Sequence, residues 1–175
     1  PHLRIRADRW GCDFLACSAY KFYGPHLGIL YGRYELLDRL EAYKVRPAGN
    51  LPPDKFETGT GNFECMAGIY GTLEYFQWLG QTFGEEYHEE LCDQYSGRRL
   101  DFKKAQHAIK DYEIDLNRAL IKVLHDVPGV TIYGITDENM LDHRVPTFSF
   151  SLAGHKPDAV ANALGEKGIY IWDGN

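Results

Sequence analysis

No run of about 18 consecutive apolar residues occurs in this chain of 175 residues, so no transmembrane helix is expected. The first residues lack a charged segment followed by an apolar one, so no secretory signal is read there. Positive charge is in deficit: 19 Lys and Arg stand against 25 Asp and Glu, for a net charge of −6. That is the wrong sign for a phosphate-backbone partner, and neither nucleic acid nor a membrane surface is expected to bind. Cysteine is sparse, and Cys12, Cys17, Cys65 and Cys92 form no C-x-x-C pair, which removes zinc-ribbon and thioredoxin-like readings. The histidines lack ligand spacing, His88 being followed by "EELC" rather than completing H-E-x-x-H, so no metal site is expected. Repeats, low-complexity tracts and long charge runs are missing too. The expectation is a soluble, cytoplasmic protein with reduced thiols.

What is present is core material. Hydrophobic residues make up 44% of the chain and aromatics 14%, which argues for a packed fold over disorder. The start on Pro1-His2 and the end on "IYIWDGN", closing at Asn175, give the impression of an excerpt from a longer polypeptide. "CDFLACSA" and "LGILYGR" are short apolar runs bounded by polar or Gly/Pro residues and read as buried strands. "YELLDRLEAY" has helical spacing. A Gly/Pro-rich stretch of about 20 residues follows, a length that in a compact protein signals a functional loop.

That loop runs into a helix, "ECMAGIYGTLEYFQWLGQ", with Met66, Ile69, Leu73 and Trp78 as its expected buried stripe. Gly68 and Gly71 inside it suggest the close approach of another backbone. From Gly84 to His125 helix formers dominate, with Tyr112, Leu116, Ala119, Leu120, Val123 and Leu124 on one expected buried face. The pattern then reads strand ("VTIYGI"), strand ("VPTFSFSLAG"), helix ("KPDAVANALGEKG") and strand ("IYIWDG"). Phe148, Phe150 and Leu152 alternate with polar residues in the second strand. A domain boundary is placed in the long helical region, giving residues 1–97 and 98–175.

Two places could carry chemistry. Lys21 lies in "CSAYKFYGPH", between the first two strands, with Ser18, Tyr20 and Tyr23 close by and Gly24-Pro25 forcing a loop. Most lysines at turns are solvated charges. A lysine amine becomes a nucleophile at neutral pH only where the protein desolvates it or sets other cations nearby, and the end of an apolar strand is such a place. The second is "ETGTGN", residues 57–62, before a helix. Its hydroxyls, glycines and helix N-terminus suit a phosphate, while helix capping by Thr60 or Asn62 explains the same residues. It is not a Walker loop, since no G-K-[ST] follows.

Taken together, "GCDFLACSAYKFYGPHLGILYGR" and, about 25 residues on, "KFETGTGN" resemble the cofactor-lysine strand and phosphate loop of class V aminotransferases. Within these fold-type I enzymes, which use pyridoxal 5′-phosphate, the sequence is most similar to cysteine desulfurase-like proteins, over essentially its whole length. The resemblance implies an α/β fold, the C-terminal half of the large mixed-sheet, cofactor-binding domain plus most of a small α+β domain. It implies that Lys21 forms the Schiff base with the cofactor, an internal aldimine, and that Ser18 binds its phosphate. Tyr20 stands where many desulfurases have a phosphate-binding histidine, and its phenol can also donate. Thr60 matches the threonine that reaches the phosphate in the neighbouring subunit, implying a homodimer with composite sites. The family's pyridine-pairing aspartate and ring-stacking histidine fall upstream of Pro1.

Desulfurases also carry R-x-G-x-x-C, the arginine gripping the substrate carboxylate and the cysteine accepting sulfur. Aligned on Gly174, Trp172 takes the arginine's place and the cysteine falls beyond Asn175. The expected function is a pyridoxal-phosphate-dependent transferase or lyase acting on an amino acid through Lys21. The alternatives are a non-catalytic or regulatory homodimer of the same fold and a metal-dependent hydrolase built from the scattered histidines.

Overall fold

The computed structural model describes residues 2 and 5–174; Pro1 and Asn175, on which the readings of the chain's ends rest, lie outside them. Residues 5–107 and 108–174 fall in separate compact units, the boundary lying inside one long helix.

The first unit opens with a hairpin. Strand β1 (Phe14–Ser18) pairs antiparallel with β2 (Gly28–Gly32), Phe14 opposite Gly32 and Ser18 opposite Gly28. Between them lie a 3-10 turn at Ala19–Phe22 and the Gly24-Pro25 corner. Both strands were expected to be buried, but each is half-exposed, with Leu30 and Tyr31 open to solvent. A two-stranded sheet can hide only one face against its neighbours, and among the described residues no third strand joins it.

Helix α1 (Tyr34–Arg39) stops four residues earlier than its pattern suggests. Its end is closed from a distance: the buried Lys55 ammonium donates to the carbonyls of Asp38 at 2.7 Å and Leu40 at 2.9 Å, carbonyls that a helix end leaves without partners. The Gly/Pro-rich loop holding Lys55 forms only turns and leads into α2 (Phe63–Phe83). Asn62 caps that helix, its side chain accepting from the Cys65 N–H at 3.1 Å.

The face that α2 buries differs from the expected stripe. Met66 and Trp78 are exposed and Ile69 and Leu73 only half-buried, while Thr72 and Gly80 are buried. Contact is made along the row Gly68, Thr72, Phe76, Gly80 and Gly84, spaced by fours, in which Phe76, packed on Tyr23, is the one large residue. A side chain at Gly68 would meet the Pro25 ring at 3.1 Å, one at Gly80 would strike the Asp101 backbone, and one at Gly84 would reach Lys104 Cβ at 2.5 Å. Small residues let backbones approach, so the large side chains turn outward. There Tyr75 stacks on Trp78, centroids 5.7 Å apart, and Trp78 meets Phe83 edge-on. Gly71, by contrast, has open space where its side chain would be.

After the short α3 (His88–Leu91), α4 runs from Gly97 to His125. Its start is joined to α2 by Gln77 and Gln81, both donating to the Asp101 carboxylate, and by Arg98 donating to Gln77. Lys104 is buried beneath Gly84, its ammonium 2.7 Å from Glu85.

In the second unit the expected α4 face is likewise displaced. Tyr112, Leu116, Leu120 and Val123 are exposed, whereas Asn117 and Ile121 are buried. The sequence is apolar over a wide arc, including Ile114 and Ile121, and packing selects a row one residue along. Strands β3 (Val130–Tyr133) and β4 (Ser149–Leu152) pair antiparallel, with Phe148, Phe150 and Leu152 inward as their alternation requires. Helix α5 (Pro157–Gly165) follows. The last expected strand does not form: residues 169–174 are irregular and exposed, since no neighbouring strand takes up their backbone groups among the described residues.

Candidate functional site

Backbone pairing builds the Lys21 turn. The β1–β2 register continues one step beyond the strands, the Ala19 N–H donating to the Leu27 carbonyl at 2.8 Å. Just beyond it, the rings of Tyr20, in the 3-10 turn, and His26 meet with centroids 5.2 Å apart at 34°. Tyr23 then adopts φ +66°, a left-handed conformation that costs a non-glycine residue energy and is held here by tertiary contacts. Its ring packs on Tyr75 and Phe76 of α2, and its carbonyl accepts from the buried Thr72 hydroxyl at 3.4 Å. Gly24 is required because a side chain there would lie 2.9 Å from Ala19 Cβ and its carbonyl oxygen. Thus α2 carries the turn.

Of the residues singled out from sequence, Ser18, Tyr20 and Lys21 come together on this turn. Ser18 is the last residue of β1 and makes no capping bond. Lys21 points its ammonium over the Tyr20 ring, 4.9 Å from the centroid. The expectation that this amine would be desolvated is not met: Lys21 is exposed, for the same reason that the sheet is. Among the described residues no hydrogen bond or ion pair engages it.

Thr60 stands apart. It is exposed in the loop before α2, beside Gly59 at φ +84°, and among the described residues it makes no hydrogen bond to Ser18, Tyr20 or Lys21. Both features nonetheless share one helix: the loop ends at its first residue, and Gly68, which supports the turn, lies about 7.5 Å along the axis. Of the two candidate caps, Asn62 does the capping, which leaves both threonine hydroxyls of "ETGTGN" for other work.

The donor set fits pyridoxal phosphate: a primary amine for the aldehyde, and the hydroxyls of Ser18 and Tyr20 for the phosphate. No three His, Cys, Asp or Glu side chains gather as metal ligands among the described residues, and no described helix is long and apolar enough to cross a membrane. A shallow groove lined by Phe14, Leu36, Arg39 and Leu40 opens at the start of β1, about 13 Å along the strand from Ser18 and so away from this chemistry. Trp172 is 97% exposed in the irregular final segment.

Sequence reasoning weighed the histidines only by metal-ligand spacing and so passed over His26, whose ring contact with Tyr20 is made by the folded turn.

Comparison with known proteins finds relatives along the whole chain. The family model for class-V aminotransferases matches residues 1–106. The chain is 29% identical over 189 residues to a probable cysteine desulfurase of Mycobacterium leprae, covering 100% of this chain and 26% of that protein. It is 31% identical over 166 residues to an aminotransferase-like protein of Gibberella zeae, covering 94% of this chain and 35% of that one. In fold it is similar to the apo structure of a cysteine desulfurase from Thermococcus onnurineus NA1. That match has TM-score 0.57 and 22% identity, over 97% of this chain and 38% of the other. The chain thus spans between a quarter and two-fifths of the length of such relatives. On the match over residues 1–106, the chain belongs to the class-V aminotransferase family.

Proposed function

We propose that the protein containing this chain is a pyridoxal-phosphate-dependent enzyme acting on an amino acid, of the cysteine desulfurase-like or class V aminotransferase type. The observation that carries the reading is Lys21: an amine at the tip of a braced hairpin, beside Ser18 and Tyr20, with no polar partner of its own among the described residues. When bound, pyridoxal phosphate supplies the electron sink for a carbanion at the substrate α-carbon.

The chain's own residues do the rest. Lys21 would hold the cofactor and, as general base, would move the proton at the substrate α-carbon. Ser18 and Tyr20 orient the phosphate by donating hydrogen bonds. Thr60, standing free of that group, serves the site of a second copy, so the enzyme is a homodimer with composite sites. Residues 1–97 belong to the cofactor domain and 98–175 to the small domain. Trp172 marks a substrate grip unlike that of desulfurases with an arginine there.

The test uses the full-length protein. Borohydride reduction is expected to add the cofactor mass to the Lys21 peptide, and a panel of amino acids including cysteine, with sulfide and keto-acid readouts, then identifies the reaction. Absence of both cofactor absorbance and added mass would leave the non-catalytic homodimer as the reading.

A further inference from the structure

We propose that His26 is a positioning residue for Lys21 and acts through Tyr20; this rests on the reading of Lys21 as the cofactor lysine. Two observations meet at one ring. The Tyr20 and His26 rings are in contact at 5.2 Å, and the Lys21 ammonium lies 4.9 Å from the Tyr20 centroid. Aromatic pairs at such separations attract one another, and a cation within about 6 Å of a ring centroid is drawn to its face.

The mechanical consequence follows from exposure. Tyr20 sits on an exposed turn, where its side chain alone would sample several rotamers and sweep the Lys21 seat with it. Contact with His26 restricts that rotation. The contact uses the Tyr20 ring and leaves its hydroxyl for the phosphate. Close support for the corner at Gly24 and Pro25 keeps His26 in register, since the Leu27 N–H also donates to the Pro25 carbonyl at 2.8 Å. Lys21 is thereby kept near one location while it is free of cofactor.

The test reads Lys21 itself in cofactor-stripped, full-length protein. Reductive methylation at Lys21, measured by mass spectrometry and normalised to the other lysines of the same molecule, reports how firmly the ammonium is seated. His26→Ala is expected to raise the relative rate about twofold to fivefold, the span of an exposed cation–π contact. His26→Phe, which keeps a ring, is expected to stay near wild type. On a Tyr20→Leu background, His26→Ala is expected to add nothing, because the route through the ring is already gone. An unchanged rate in His26→Ala, an equal rise in both backgrounds, or no rescue by His26→Phe would each overturn the proposal. Normalisation separates this from misfolding, which raises every lysine together. The cofactor reading fails separately, if borohydride adds no cofactor mass at Lys21 in the wild type.

Discussion

Two cations beside aromatic rings, one in each unit, have opposite fates. Arg144, in the connection between β3 and β4, stacks on Phe148 with its guanidinium carbon 3.8 Å from the ring centroid. It also donates to the carbonyls of Val145, Ile135 and Thr147, at 3.3, 2.5 and 2.8 Å. Burial pushes its pKa below the ordinary arginine value, and the three carbonyls account for how the charge is kept there. Lys21 has a ring beneath it and no hydrogen bond among the described residues. A guanidinium bonded to three carbonyls of one connection is structural. An amine left with a single weak contact is not committed to holding the fold.

The sharpest way to break this contrast is to exchange roles. Lys21→Ala is expected to abolish borohydride-trapped cofactor in the full-length protein and to lower turnover by about 10²–10⁴-fold, with little change in unfolding midpoint. Arg144→Leu should do the reverse, leaving cofactor attachment at Lys21 intact. Denaturant unfolding should show a loss of about 2–4 kcal/mol, because three carbonyls lose their donor. Equal damage to stability from both variants would end the distinction.

A smaller effect concerns the helix that carries Lys21's turn. Gly80→Ala is expected to cost about 1–3 kcal/mol by forcing α2 off the Asp101 backbone. Gly71→Ala, with open space around it, should be neutral or stabilising by up to about 1 kcal/mol from helix propensity. Chemical denaturation of both variants measures the difference.

The smallest effect belongs to a third cation, Lys104, which is buried where Arg144 is half-buried, and which holds a carboxylate. Hydrogen bonding from Lys104 lowers the Glu85 pKa from its ordinary 4.5. A depressed carboxyl pKa stabilises the fold above the unfolded value and ceases to do so as pH falls through the folded one. Melting curves are therefore expected to show a small loss as pH drops below about 4.5, absent in Glu85→Gln.

Much of the scaffold was legible as a sequence. The two short apolar runs around "SAYKFYGPH" announced β1 and β2, the period-2 pattern of Phe148, Phe150 and Leu152 announced β4, and the polar residue before "FECM" marked the cap of α2. The family resemblance was carried by the same short stretches. The faces were not legible. Met66 and Trp78 were expected inside α2, and Tyr112 and Val123 inside α4, yet all four are exposed. Hydrophobicity says which residues can be buried; only a neighbour says which are.

The sequence by itself determined the local order of this protein: a lysine at a hairpin tip, a capped helix behind a hydroxyl-rich loop, and an alternating strand, since each is set by steric preference and hydrogen bonding within a few residues. Tertiary structure alone decided that α2 packs through a row of small residues against Pro25 and the α4 backbone. It also decided that Tyr23 is held left-handed on that helix and that Arg144 is committed while Lys21 is left uncommitted. The α2 packing and the Tyr23 conformation depend on close contacts between residues distant in the chain, where excluded volume, rather than the intrinsic preference of any one side chain, selects the arrangement.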